Sequence, residues 1–78
     1  MELEILQQIV SSVMNVDAES VKLDTDFVDD LSCDSIEIFQ IIMGIEEEYG
    51  FEIPTDDIQN IHTVRDAIEK IKALKNEL

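Results

Sequence analysis

Seventy-eight residues carrying 19 acids against 5 bases, a net charge of −14, and a single cysteine exclude several classes at once. Nucleic acid and anionic membrane are repelled, a disulfide within the chain or a Cys-based metal site lacks its ligands, and a deep cleft between lobes lacks the necessary bulk. The 45% hydrophobic share suffices for a core, and two Gly with one Pro favour helices over a turn-rich sheet.

The expected organisation is one domain over residues 1–78. Its first element covers roughly residues 2–15. Leu3, Leu6, Ile9, Val10, Val13 and Met14 recur at helical steps along one face, and Glu2 and Glu4 lie where the helix dipole favours anions. With acids and no basic region before its apolar residues, this start does not read as a signal peptide. No apolar run approaches the roughly 20 residues of a membrane span, so a cytoplasmic location is expected.

Residues 16–33 show no sustained period. Asp17, Asp24, Thr25, Asp26, Asp29 and Asp30 are turn and cap residues. Val21, Leu23, Phe27, Val28 and Leu31 predict a long loop pinned to the core, and loops of this length are often functional. Asp24-x-Asp26 begins like an EF-hand, but Asp29 stands where Gly is required and Ser35 where the bidentate Glu is required.

The second helix is predicted over roughly 35–49. Asp34 and Glu37 make a D-x-x-E capping box. Ile38, Ile41, Ile42, Ile45 and Tyr49 form a core stripe, and Gly50 occupies the place of a left-handed C-terminal cap. Ile36, Phe39 and Met43 form a second, offset stripe that reads as semi-buried or as a docking surface. After an extended FEI segment, Pro54 or Thr55 opens a short helix to about Asn60, anchored by Ile58 and Ile61. The last helix starts at Thr63, whose box partner is Asp66, and buries Val64, Ala67, Ile68, Ile71 and Leu74. Residues 63–78 hold Arg65, Lys70, Lys72 and Lys75 against three acids, whereas residues 1–62 hold 16 acids against Lys22 alone. The expected fold class is all-α: a small bundle of three longer helices plus one short helix.

Few side chains offer chemistry. One Cys and one His are a weak signal for a nucleophile and its base, and Cys33 and His62 read more simply as a small apolar residue and a polar loop residue. Glu46, Glu47 and Glu48 are consecutive, so they do not pair on one helix face; they read as a solvated, negative helix end. They lie where the dipole disfavours anions, which hints at a functional reason for them. Ser35, as first helical residue after Asp34, would present its hydroxyl at the positive end of a dipole, where a phosphate ester is well placed. Asp-Ser pairs also start many helices without further role.

The set Asp34-Ser35-Ile36 within DLSCDSI, then IMGIEEEYGFEIP, then TVRDAIEKI closely resembles the acyl carrier proteins over nearly the whole chain. The resemblance implies a carrier and not an enzyme. It implies 4′-phosphopantetheine esterified to Ser35 by a separate phosphopantetheinyl transferase, a holo-carrier synthase, with Asp34 positioning Ser35 and the transferase metal. The arm would hold acyl groups as thioesters for fatty-acid or polyketide-type biosynthesis. Phe27, Val28, Ile45, Ile58, Ile61 and Ala67 would line an acyl slot. Asp34, Glu37, Glu46, Glu47 and Asp56, with the apolar Ile36, Phe39 and Met43, would dock a monomeric carrier onto the basic patches of acyl transferases and ketosynthase-type enzymes. Several positions depart from the family's usual pattern. Ile36 replaces Leu, Ser32-Cys33 stands where Gly-Ala is common, Gln40 and Gln59 replace acids, and Phe39 is bulkier than the usual Val. They point to a specialised or divergent carrier. A peptidyl, aryl or D-alanyl carrier, and an unmodified acidic interaction module, remain the alternatives.

Overall fold

Apolar residues at helical spacing wind the chain into α1 (Glu2–Met14), α2 (Ser35–Tyr49), the single-turn α3 (Thr55–Ile58) and α4 (Val64–Glu77). This computed structural model describes residues 2–77. No strand occurs among them; one isolated antiparallel bridge joins Asp26 and Thr63. The all-α expectation of three longer helices and one short one is met.

Local chemistry sets the helix ends. Asn15 adopts φ 57°, a left-handed conformation that Asn tolerates better than most residues, and its N–H donates to the Ser11 carbonyl at 2.8 Å. Thus α1 stops there. Gly50, at φ 74°, closes α2 and donates its N–H to the Glu46 carbonyl, the role only Gly fills without strain. Thr63 caps α4: its Oγ1 accepts from the Asp66 N–H, and the Asp66 carboxylate accepts from the N–H groups of His62 and Thr63.

The loop between α1 and α2 contains a short 3₁₀ turn (Ala18–Ser20). Its single turn is too brief to leave a period in the sequence. Beyond it, the loop is clamped to the start of α4. The Phe27 N–H donates to the His62 carbonyl, the Val64 N–H to Thr25, and the Arg65 N–H to Leu23, at 2.9, 3.0 and 2.8 Å. The Arg65 guanidinium adds bonds to Asp24. Asp26 then folds residues 26–33 into a tight coil. One of its carboxylate oxygens accepts from Val28 and Asp29, and its carbonyl from Asp30 and Leu31.

Leu6, Val10, Val21, Ile41, Ile45, Val64 and Ile71 fill the centre with almost no exposure. The axes of α1 and α2 approach closely at Gly44, where a Cβ would stand 2.9 Å from Ile9 Cγ2. Glu46 corrects the reading of 46–48 as a merely solvated end. Its carboxylate accepts from the Ile53 N–H at 2.8 Å, so it holds the FEI segment against α2. Glu47 and Glu48 are exposed as expected.

Ser32 has φ 56°, a region that penalises an L side chain by about 1–2 kcal/mol. Its exposed side chain makes no hydrogen bond among the described residues. Ser32→Gly is therefore expected to raise unfolding free energy by roughly 0.5–1 kcal/mol, the relief being partly offset by Gly's greater freedom in the unfolded chain. Urea denaturation reads this directly, and a loss of stability would contradict the strain account.

The amides of His62 and Thr63 hold the Asp66 carboxyl below its usual range, against an opposing effect of burial. A folded pKa below the unfolded one stabilises fully above the unfolded value, about 3.9, and is lost as pH falls through the folded value. Asp66→Ala should lower stability by about 1 kcal/mol at pH 7. The difference from the parent should shrink as pH drops below about 4; a difference constant from pH 6 to 3 would refute it.

Candidate functional site

The start of α2 follows the coil of residues 26–33 without a break. Asp34 is its N-cap, at φ −91° and ψ −179°. The Asp34 carboxylate accepts from the Glu37 N–H at 2.8 Å, and the Glu37 carboxylate accepts from the Asp34 N–H at 3.0 Å. This reciprocal pair is the capping box expected from D-x-x-E. The Ile38 N–H donates to the Asp34 carbonyl. That leaves the N–H groups of Ser35 and Ile36, the first two helical positions, with no acceptor among the described residues. Two free donors and the positive dipole end thus lie beside the exposed Ser35 hydroxyl, an arrangement that accepts a phosphate ester. The residues present fit the phosphodiester of a pantetheine arm.

Cys33, two residues before, is buried and lies 3.5 Å from the Met14 thioether. Burial, then the charges of Glu37 and Asp34, push its thiol pKa up. The reactive thiolate is disfavoured, so Cys33 acts as a packing residue. His62 is exposed on the turn before α4.

Ser35 opens onto a cleft of about 370 Å³. Val28, Ile38, Phe39, Ile58 and Ile61 make its apolar surface, and Thr55, Gln59 and His62 its polar members. Of the residues expected to line an acyl slot, Val28, Ile58 and Ile61 are here. Phe27, Ile45 and Ala67 are not: they are packed in the core at 3%, 0% and 1% exposure. Sequence reasoning missed Thr55, Gln59 and His62, which carry no pattern of their own. It assigned Ile38 to the core, against which it does pack while also lining the cleft, and Phe39 to docking alone.

Along α2 the offset stripe is solvent-facing. Ile36, Phe39 and Met43 are 68%, 49% and 56% exposed. Glu47 and Asp56 are exposed, while Glu37 and Glu46 are half-buried and bound to backbone amides.

A family model described as "Phosphopantetheine attachment site" matches residues 4–71. The chain is 47% identical over 73 residues to an acyl carrier protein of Tropheryma whipplei, covering 94% of this chain and 89% of that one. It is 43% identical over 74 residues to one from Solidesulfovibrio magneticus, covering 95% of each. A solved structure from Mycobacterium tuberculosis, titled "a putative acyl carrier protein", superposes with a TM-score of 0.88 at 28% identity, over 95% of this chain and 99% of that one.

The box separates capping from charge. Asp34→Ala should cost about 1 kcal/mol of stability, and Asp34→Asn, an equally good N-cap, little. Equal losses in thermal melts would show that the carboxylate charge, and not the cap, holds this helix end.

Proposed function

For a chain that belongs to the acyl carrier proteins and so carries a phosphopantetheine attachment domain, we propose that Ser35 is the attachment point. We further propose that the cargo is the acyl intermediates of fatty-acid or polyketide-type biosynthesis. The observation that supports this most directly is the exposed Ser35 hydroxyl on the first turn of α2, beside two unpaired backbone N–H groups. No other serine has this setting. Ser11 and Ser20 donate their hydroxyls to nearby carbonyls, Ser12 lies inside α1, and Ser32 precedes the helix at a strained backbone position.

In this reading the Ser35 oxygen displaces adenosine 3′,5′-bisphosphate from coenzyme A. The Oγ–P bond forms as the P–O–P linkage breaks, and the hydroxyl proton passes to a base of the transferase. Once bound, the arm supplies a thiol that carries acyl groups as thioesters. The protein's residues position and present it. The free amides of Ser35 and Ile36 stabilise the phosphodiester charge. The capping box fixes the helix end, and the remaining oxygen of Asp34 faces solvent, where a transferase metal can meet it.

Family members interact with biosynthetic enzymes. Here Ile36, Phe39 and Met43 offer apolar contact. Glu37, Glu47 and Asp56, with Glu46 contributing charge while tied to Ile53, steer basic partners toward it. The low carboxylate count of residues 63–78 leaves the opposite end less attractive to them.

Co-expression with a broad-specificity phosphopantetheinyl transferase, followed by intact mass, tests the attachment. The expected result is a mass gain of one phosphopantetheinyl group that Ser35→Ala abolishes. No gain, or a gain retained by Ser35→Ala, would reject it, and no gain would favour an unmodified interaction module.

A further inference from the structure

The three consecutive acids that end α2 have different surroundings. Glu46 holds the Ile53 N–H, and Glu47 lies beside Met43. Glu48 faces α1, where it lines a concavity of about 510 Å³ with Glu4, Ile5, Gln8 and Ile9. A second concavity, of about 310 Å³, shares Gln8 and Ile9 and continues to Ser12 and Val13, with Gln40, Gly44 and Glu47 on the α2 side. The two make one groove between α1 and α2, running from Glu4 to Val13 over roughly 14 Å at the rise of a helix. Its floor is Ile5, Ile9 and Val13, half-buried and spaced four residues apart. Gln8, Ser12 and Gln40 are exposed at its edges, and their side chains make no hydrogen bond with any described residue. One end carries Glu4, Glu47 and Glu48. These are exposed and form no ion pair with any described residue. Arg65 and Lys70 are engaged with Asp24 and Asp57, and Lys75 lies over the Tyr49 ring. Carboxylates sharing one concavity repel, and Glu47 and Glu48 also stand where the α2 dipole disfavours anions. A cation from outside would relieve both costs.

We infer that the α1–α2 groove docks a basic amphipathic helix of a partner protein, its apolar residues on Ile5, Ile9 and Val13 and its Lys or Arg side chains at Glu4, Glu47 and Glu48. A straight groove floored at four-residue steps matches the ridge of another helix. The free amides of Gln8 and Gln40 both donate and accept, so they can bond the polar edge of such a helix whatever its residues. The charge selects among occupants. A second copy would bring another −14 to the same place, and nucleic acid is repelled outright, whereas a cationic helix neutralises the acidic end. The groove lies about a quarter turn around α2 from Ile36, Phe39 and Met43, at 3.6 residues per turn, with Glu47 between the two surfaces. Ser35 and its cleft are outside it, so the inference does not depend on Ser35 being the attachment point.

The test titrates a synthetic amphipathic peptide of leucine and lysine, about 14 residues and so roughly 20 Å long as a helix, into the isotope-labelled full chain. In NMR spectra the side-chain amides of Gln8 and Gln40 and the methyls of Ile5, Ile9 and Val13 should shift. Glu4→Gln/Glu48→Gln should weaken binding about fivefold, the loss of two partly exposed ion pairs. Asp17→Asn/Glu19→Gln removes the same charge from exposed positions outside the groove and should weaken binding by less than about twofold, because solvent and salt screen charges at a distance. Thermal melts establish that both double variants remain folded. Shifts confined to Ile36, Phe39, Met43 and the cleft beside Ser35 would overturn the inference. So would equal weakening by the two double variants, or no binding of the peptide. A concentration-dependent dimer in sedimentation that Glu4→Gln/Glu48→Gln alone abolishes would assign the groove to a second copy and reject the partner helix.

Discussion

The pairing of the Phe27 N–H with the His62 carbonyl at 2.9 Å, reinforced by Val64 to Thr25 at 3.0 Å, is the constraint on which the site depends. It joins the α1–α2 loop to the turn between α3 and α4, segments that share no helix. Val28 follows Phe27, and Ile61 precedes His62, so this pairing brings two walls of the cleft together. It also anchors the coil of residues 26–33 that delivers Asp34 to its capping position. Burial of Val21, Phe27 and Cys33 supplies the free energy that holds so long a loop closed. The hydrogen bonds determine where it closes.

The charge distribution makes sense against this frame. A phosphodiester on Ser35 would enter a chain already at −14, and its nearest carboxylates belong to Asp34 and Glu37. Both accept hydrogen bonds from amides of the same turn, which disperses part of their charge. The two free amides and the helix dipole oppose what remains. The rest of the acidity is spread over all four helices and the loops, where it costs some stability through self-repulsion and favours rapid encounter with basic surfaces. Among the described residues, two ion pairs, Arg65 with Asp24 and Lys70 with Asp57, use cations of the last helix to fasten the α1–α2 loop and α3. Being partly solvated, they contribute little each.

What the sequence displayed and what it hid differ in range. The caps at Asp34/Glu37, Gly50 and Thr63/Asp66 are hydrogen bonds closed within three or four residues, so residue type at fixed offsets reveals them. The clamp of residues 23–27 onto 62–65 is made of backbone groups 35 to 42 positions apart, and no side chain announces it. The bond from Glu46 to the Ile53 amide spans seven positions and a helix end, which let Glu46 pass as one more solvated acid. The acyl-slot assignment met a different limit. Val28, Ile58 and Ile61 line the cleft, while Phe27, Ile45 and Ala67 are buried in the core, yet all six are apolar. Periodicity separates inside from outside, but it does not say which apolar residues border a cleft.

Phe39 shows where these threads meet. It lines the cleft and is also the middle of the exposed stripe, 49% accessible between Ile36 and Met43. A ring in both places is touched by whatever occupies the cleft and by whatever docks on α2. Large aromatics contribute strongly to interfaces when they become fully desolvated, and a partner that covers Phe39 also covers the cleft's edge. With a smaller side chain at this position, the two surfaces would be more nearly separate. With Phe they share a side chain, so any difference in how partners meet this ring is also a difference in how the cleft is walled. The identity of residue 39 therefore bears on the exposed stripe and the cleft together, whereas Gln40, one position along, lies outside the cleft lining.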